Sequence, residues 1–220
     1  DFLDIYTHAK RKGLLITLFT NGVLVTPKIA DHLAEYRPFG VEITLYGGTR
    51  ETYERMTRVP GSFEKCHRGI ELLLERGLAL SLKTVATTVT LAEIPMMRQF
   101  ARDLGVEFTY DPMMNPRIDC SASPLEVRLT PHETVALDLL DPEREREWRR
   151  FNQHFEGPPP APADGPQELY TCGGGVNSWA IDTAGIAFLI ELLRMAHQPH
   201  VAIESARWGS RVDGFLRVPR

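Results

Sequence analysis

Three cysteines are the strongest candidates for metal ligands in this chain of 220 residues: Cys66, Cys120 and Cys172. An iron–sulfur cluster needs several thiolates that the chain brings together, usually at short sequence spacing. These three are far apart and odd in number, which favours reduced thiols over a disulfide framework. The seven histidines do not occur at metal-ligand spacing with carboxylates or cysteines. We therefore expect neither a zinc site nor a cluster held by this sequence's cysteines alone.

Cys172 is the cysteine whose surroundings best suit a metal. It precedes Gly173-Gly174-Gly175, and glycines let the backbone approach a bulky ligand such as an iron–sulfur cluster. The alternative is a glycine-rich turn that carries an inert thiol. Cys66 falls on the apolar side of a helical pattern and is expected in the core. Because Cys120 lies in a polar loop and is assigned no role, Cys172 is the one predicted metal ligand.

Polar residues follow two apolar runs that are typical of buried strands. Thr20-Asn21-Gly22 closes the run at residues 14–19, and Thr44-Leu45-Tyr46-Gly47 closes the run at residues 41–45. Ligands of α/β proteins bind where the carboxyl ends of parallel strands meet the loops. Alternatively, Asn-Gly is only a turn and Thr44 only a β-branched strand residue. The predicted site residues are Thr20, Asn21, Gly22 and Thr44.

The elements that would position these residues alternate between strand and helix. Four apolar runs predict strands, at residues 14–19, 41–45, 78–85 and 106–110. Helical patterns between them favour parallel units with right-handed crossovers, and hence an open or closed α/β barrel. The first residues already have a helical pattern, so the sequence is expected to begin inside an element. Thr-x-x-Glu at residues 90–93 and 130–133 matches the capping box and predicts two helix starts.

A proline-rich stretch at residues 157–166 predicts a linker. Three segments are therefore expected. A partial barrel occupies residues 1–130, a helical segment with the linker occupies 131–166, and a small extension occupies 167–220.

Composition excludes several classes of function. The formal net charge is −4 and the isoelectric point about 6.0, with no basic stripe, so nucleic acid is not an expected partner. No apolar run approaches the roughly 18 residues of a membrane span, and the first residues lack a signal-peptide pattern. We expect no membrane association and a cytoplasmic location. The commonest phosphate-binding, dinucleotide-binding and acyl-transfer glycine motifs are absent from the sequence.

Taken in order, these segments resemble the radical S-adenosylmethionine (SAM) superfamily, whose fold is a partial (β/α)6 barrel that holds a [4Fe-4S] cluster and SAM at its strand ends. The similar segments are Asp1-Phe2-Leu3-Asp4, Leu18-Phe19-Thr20-Asn21-Gly22, Val41-Glu42-Ile43-Thr44-Leu45-Tyr46-Gly47, the helix start Gly61-Ser62-Phe63, and residues 106–113. The resemblance implies an incomplete barrel of this type that lacks its first units. It also implies that Thr44 contacts SAM, that residues 20–22 line the site and that Met113 flanks the adenine.

The last part of the chain resembles the SPASM extension, which binds auxiliary clusters in enzymes that modify peptides and proteins. The similar residues begin at Cys172 and run to Ser178, followed by a predicted β-hairpin with strands at residues 176–181 and 186–190. The family has a Pro-Cys pair where Leu189-Ile190 stands here. The resemblance therefore implies a SPASM-like extension without a complete set of auxiliary-cluster ligands.

The resemblance implies the function of a longer protein. The CxxxCxxC loop of the family, which binds the [4Fe-4S] cluster, would precede Asp1, and this chain alone would be inactive. The complete enzyme would cleave SAM reductively and abstract hydrogen from a peptide, protein or similar substrate, with an electron donor such as a flavodoxin or ferredoxin. One alternative is a non-catalytic peptide-binding module derived from that fold. Another is a metal-independent α/β barrel enzyme that uses carboxylates such as Glu42 and Asp111.

Overall fold

A computed structural model describes residues 2–117, 119–154, 179–181 and 187–189. The chain divides into two compact units, Asp1–His154 and Phe155–Arg220. The first unit carries every residue predicted for the site except Cys172.

Strands alternate with helices in the first unit, as the apolar pattern predicts. Its strands are β1 (Thr17–Thr20), β2 (Gly40–Leu45), β3 (Leu80–Val85) and β4 (Glu107–Asp111). Its α-helices are α1 (Phe2–Arg11), α2 (Pro27–Glu35), α3 (Arg50–Thr57), α4 (Ser62–Leu74), α5 (Ile94–Asp103), α6 (Pro131–Leu139) and α7 (Pro142–His154). Short 3-10 helices cover Leu91–Glu93 and Ser123–Val127.

The four strands form one parallel sheet in the order β1-β2-β3-β4. Parallel neighbours that follow each other in the chain need a crossover connection, and helices supply it between each pair here. The predicted α/β class with parallel strand-helix-strand units is confirmed.

The two faces of the sheet differ in burial. Alternate side chains of β2 point to one face and are at most 2% exposed: Val41, Ile43 and Leu45. Helices cover this face: its side chains form one apolar core with residues of α2, α4 and α5. Glu42 and Thr44 lie on the other face and are only half-buried. We call that surface the open face.

One of the two predicted capping boxes is wrong. At residues 130–133 the box forms and starts α6. At residues 90–93 the Thr90 side chain makes no cap, and the chain forms a 3-10 helix before α5 begins. The reason is that the Thr90 hydroxyl is buried against the end of β3, where it donates to the Val85 carbonyl at 2.9 Å and accepts from the Thr87 N–H at 3.0 Å.

Helices α6 and α7 are fastened to the sheet by the buried carboxylate of Asp138. It accepts hydrogen bonds from the Tyr110 hydroxyl at 2.6 Å, from Arg144 Nε at 2.9 Å and from Trp148 Nε1 at 2.9 Å. The Arg144 guanidinium also lies 4.1 Å from the centre of the Tyr110 ring. These contacts place the helical segment in the same compact unit as the sheet, while the predicted subdivision at residues 130 and 131 stays a prediction.

In the second unit, β5 (Trp179–Ile181) and β6 (Ala187–Leu189) form an antiparallel pair. They fall within the two runs for which the sequence predicts hairpin strands. Cys172 and the residues between the two strands lie outside the described residues, so the SPASM-like extension stays a prediction. Among the described residues, no helix is both long enough and apolar enough to cross a membrane.

Candidate functional site

The carboxyl ends of the four strands meet at one edge of the sheet, because the strands are parallel and in register. The strands end there at Thr20, Leu45, Val85 and Asp111, and the connecting segments begin after these residues. We call this edge of the sheet the carboxyl edge. It brings together the predicted site residues that follow β1, β2 and β4, which are distant in sequence.

Side-chain oxygens of the Thr20-Asn21-Gly22 turn accept hydrogen bonds from nearby backbone N–H groups. The Thr20 hydroxyl accepts from the Gly22 N–H at 3.2 Å, and the side-chain Oδ1 of Asn21 accepts from the Val23 N–H at 3.1 Å. Gly22 has a φ of +73°, and a Cβ added at Gly69 of α4 would lie 2.2 Å from the Gly22 carbonyl oxygen. The turn therefore reverses the chain and packs closely on α4, and its predicted contact with a ligand stays a prediction.

Thr44 is the predicted residue best placed to meet a ligand. It lies on the open face, one residue before the end of β2, and its register partner is Lys83 of β3. Its hydroxyl forms no hydrogen bond within the described residues, so it can donate to a bound group.

Met113 lies just beyond β4, at the same edge. Its side chain is 67% exposed, and its N–H donates to Asp111 Oδ1 at 2.8 Å. It lines a groove of about 1130 Å³ together with residues of α6 and α7. An exposed thioether beside a groove suits contact with a flat apolar ring, but the adenine contact stays a prediction.

Sequence reasoning missed Glu93 as the residue that holds the carboxyl edge together. Its carboxylate accepts four hydrogen bonds from the connection between β2 and α3 and from the first turn of α3. The donors are the Gly48 N–H (2.7 Å), the Thr49 N–H (3.1 Å), the Thr49 hydroxyl (2.9 Å) and the Thr52 hydroxyl (2.6 Å). Glu93 thus connects the segment after β3 to the segment that follows Thr44 and Tyr46. The Thr-x-x-Glu pattern revealed a carboxylate that accepts hydrogen bonds but assigned it the wrong donors.

The charge of Glu93 is stabilised in place. Burial by itself raises the pKa of this carboxyl, but hydrogen bonds from Thr52, Thr49 and Gly48 outweigh burial, so the pKa is lowered overall. Thr49 is also the N-cap of α3, so the carboxylate lies at the positive end of that helix. Glu93 is therefore ionised at neutral pH and acts as a fixed acceptor.

The described cysteines do not suit an iron–sulfur cluster. Cys66 is fully buried in the core, as predicted, and burial raises the pKa of its thiol to about 11, although a contact with the Tyr53 hydroxyl lowers it slightly. Cys120 is exposed and remote in sequence. Among the described residues, no three His, Cys, Asp or Glu side chains lie close enough together to hold a metal ion. A cluster would therefore need ligands from outside these residues.

The first part of the chain is similar to a known protein family. Residues 1–101 match the family described as the Radical SAM superfamily. The matched segment includes β1, β2, β3, the turn after β1, Thr44 and Glu93. The match covers slightly less than half of the 220 residues.

Curated relatives cover the same part of the chain. AdoMet-dependent heme synthase of Methanosarcina barkeri is 30% identical over 105 residues, which are 48% of this chain and 30% of that protein. Mycofactocin maturase MftC of Mycobacterium tuberculosis is 30% identical over 106 residues, which are 48% of this chain and 27% of that protein. The similarity thus spans less than a third of the length of either relative.

Among solved structures, native anSMEcpe with bound AdoMet (SAM) and Kp18Cys peptide is similar to this chain with a TM-score of 0.50. The likeness covers 70% of this chain and 44% of that chain, at 17% sequence identity. At this identity the likeness concerns the fold alone, and it agrees with the parallel α/β architecture of the first unit.

Proposed function

We propose that this chain forms part of a radical SAM enzyme that cleaves SAM reductively and abstracts hydrogen from a peptide or similar substrate. The observation that carries the proposal is the match of residues 1–101 to the radical SAM superfamily. The four-stranded sheet would be a section of the partial (β/α)6 barrel, with its open face turned towards the interior. Consecutive parallel strands with helices on one face are the arrangement that such a barrel requires.

SAM would bind at the carboxyl edge. The free hydroxyl of Thr44 fits a hydrogen bond to the cofactor, and the exposed side chain of Met113 fits the adenine. Asn21 and Gly22 would line the same site through the turn after β1. Glu93 contributes by holding the connection after β2 in place, so that Thr44 and Tyr46 keep a fixed position.

The [4Fe-4S] cluster would supply the electron for SAM cleavage, and its ligands would come from a CxxxCxxC loop outside these 220 residues. The described cysteines do not fit that role, so no step through the cluster is assigned to them. Cys172 is proposed as a ligand only in a SPASM-like extension. A flavodoxin or ferredoxin is the proposed electron donor, in a reducing compartment where thiols remain free.

The substitution Thr44→Val tests the SAM site. Valine keeps the β-branched shape that suits the strand but removes the hydroxyl. In the protein expressed from its complete reading frame, after anaerobic reconstitution, we expect the Kd for SAM to rise about tenfold, as for the loss of one hydrogen bond. Isothermal titration calorimetry measures it. Thr109→Val, on the open face of β4, is the matched control and should leave the Kd unchanged.

The same reconstituted protein tests the reaction. Formation of 5′-deoxyadenosine from SAM supports the proposal. A protein that incorporates no cluster and cleaves no SAM, yet binds peptide, would contradict it and favour the non-catalytic binding module. Equal SAM affinity in the wild type and Thr44→Val would show that Thr44 does not bind SAM. The proposed reaction would still stand.

A further inference from the structure

Glu42 and Lys83 form an ion pair on the open face of the sheet. They lie on adjacent strands, with Glu42 opposite Ser81 and Lys83 opposite Thr44 in the register of β2 and β3. Their side chains are 22% and 33% exposed, so both charges are half-buried. An ion pair in the middle of a sheet, rather than at its rim, faces whatever molecule lies against that surface.

The two charges do not satisfy each other. Lys83 Nζ lies 3.8 Å from Glu42 Oε1, beyond hydrogen-bond distance, and within the described residues neither side chain forms a hydrogen bond. Half-buried charged groups without hydrogen bonds are costly, since each has given up part of its hydration. The ammonium retains free donors, the carboxylate retains free acceptors, and these lie side by side.

The geometry points to a ligand group that presents an acceptor and a donor next to each other. A free carboxylate would be attracted by Lys83 but repelled by Glu42, and a free amine would meet the opposite problem. An extended peptide backbone is neutral, and the N–H and carbonyl oxygen of one residue lie on the same side of it, whereas those of a single trans peptide group point in opposite directions. Ser81 lies opposite Glu42 in the register of the strands, and its hydroxyl can bond a neighbouring peptide group.

We propose that Glu42 and Lys83 bind the backbone N–H and carbonyl oxygen of one extended residue of the substrate, with the carbonyl oxygen on Lys83 and the N–H on Glu42. This inference rests on the proposed function, because it assigns a recognition element for the peptide substrate of that enzyme. The pair would orient an extended backbone across the open face, beside the carboxyl edge where SAM is proposed to bind.

The test uses N-acetylglycine N-methylamide, a neutral molecule with two peptide groups, titrated into the ¹⁵N-labelled chain. Shifts of the Thr44 and Ser81 amide signals give the Kd. We expect Glu42→Gln and Lys83→Met each to weaken binding about tenfold, because each removes one hydrogen bond to a charged group. Sodium acetate and methylammonium chloride should bind more weakly than the blocked peptide in the wild type.

Controls separate recognition from stability. Glu71→Gln changes a carboxylate of the exposed Arg68–Glu71 pair on α4 and should leave the Kd unchanged. Glu42→Gln keeps the side-chain volume, so it remains informative if Lys83→Met fails to fold. Tighter binding of acetate after Glu42→Gln, together with acetate binding better than the blocked peptide in the wild type, would overturn the proposal in favour of a carboxylate ligand. Unchanged peptide binding in both variants would also overturn it.

Two results distinguish failure of this peptide-binding proposal from failure of the proposed function. SAM cleavage with unchanged peptide binding in both variants would refute only the role of Glu42 and Lys83. Weakened peptide binding in a protein that never cleaves SAM would refute only the radical chemistry.

Discussion

Two segments with the same Thr-x-x-Glu pattern use their side chains differently. At residues 130–133 the interaction is local: Glu133 accepts from the N–H and hydroxyl of Thr130 at 2.8 and 2.7 Å, and Thr130 accepts from the Glu133 N–H at 3.2 Å. At residues 90–93 the two side chains diverge. Thr90 bonds the end of β3, and Glu93 reaches back more than 40 residues to Gly48, Thr49 and Thr52.

The difference follows from what surrounds each segment. Thr130 is exposed, so its hydroxyl has no competing partner and caps the helix that follows. Thr90 is 1% exposed and sits where β3 ends, so its hydroxyl must satisfy buried backbone groups there. Glu93 then lies beside the start of α3, whose N–H groups need acceptors. The same pattern stabilises one helix locally and joins two loops at the carboxyl edge in the other case.

Removing each carboxylate should give the largest difference between the two segments. Glu93→Ala should lower the free energy of unfolding by about 2 to 3 kcal/mol, because several donors of the connection after β2 lose a charged acceptor that water replaces only in part. Glu133→Ala, the matched control, should have a clearly smaller effect. Urea unfolding followed by circular dichroism measures both. Equal losses would mean that Glu93 does no more than a local cap.

The two threonines give the next largest contrast. Thr90→Ala should cost about 2 kcal/mol, because it leaves the Thr87 N–H and the Val85 carbonyl without a buried partner. Thr130→Ala should cost about 1 kcal/mol, the usual effect of losing an N-cap. Thermal unfolding of both variants checks the order. A larger loss for Thr130→Ala would contradict the assignment of Thr90 to the end of β3.

The smallest expected effect is on the pH dependence of stability. The pKa of Glu93 is lowered from its ordinary value of 4.5, so its contribution is fully present above that pH and is lost as the pH falls through the lowered value. The stability difference between wild type and Glu93→Gln should therefore be constant from pH 7 to about pH 5. The stability difference should become smaller at pH values below 4.5.

Glu133→Gln is the matched variant for the same measurement. Hydrogen bonds from the N–H and hydroxyl of Thr130 lower the pKa of Glu133 as well, so the sign should be the same. A difference between wild type and Glu93→Gln that widens on acidification would show that the carboxylate form of Glu93 is not the one that the fold stabilises.

Much of the scaffold could be predicted from the sequence. The four apolar runs overlap β1 to β4, and the alternating strands and helices predicted a parallel sheet. These features depend on near neighbours in the chain, where burial and backbone geometry leave a short-range pattern.

The contacts that shape the candidate site could not be predicted in the same way. The capping box at residues 130–133 forms from local backbone geometry alone. The bonds of Glu93 required α3 and the end of β3 to lie side by side. Pairing of Glu42 with Lys83 required the register of β2 against β3.

The class of fold, the order of the strands along the chain and the candidate residues at their ends thus follow from the sequence. Which of those residues contact one another depends on how the elements pack. Local propensity acts over a few residues, whereas a hydrogen bond between elements forms wherever packing brings a donor and an acceptor together, at any separation along the chain.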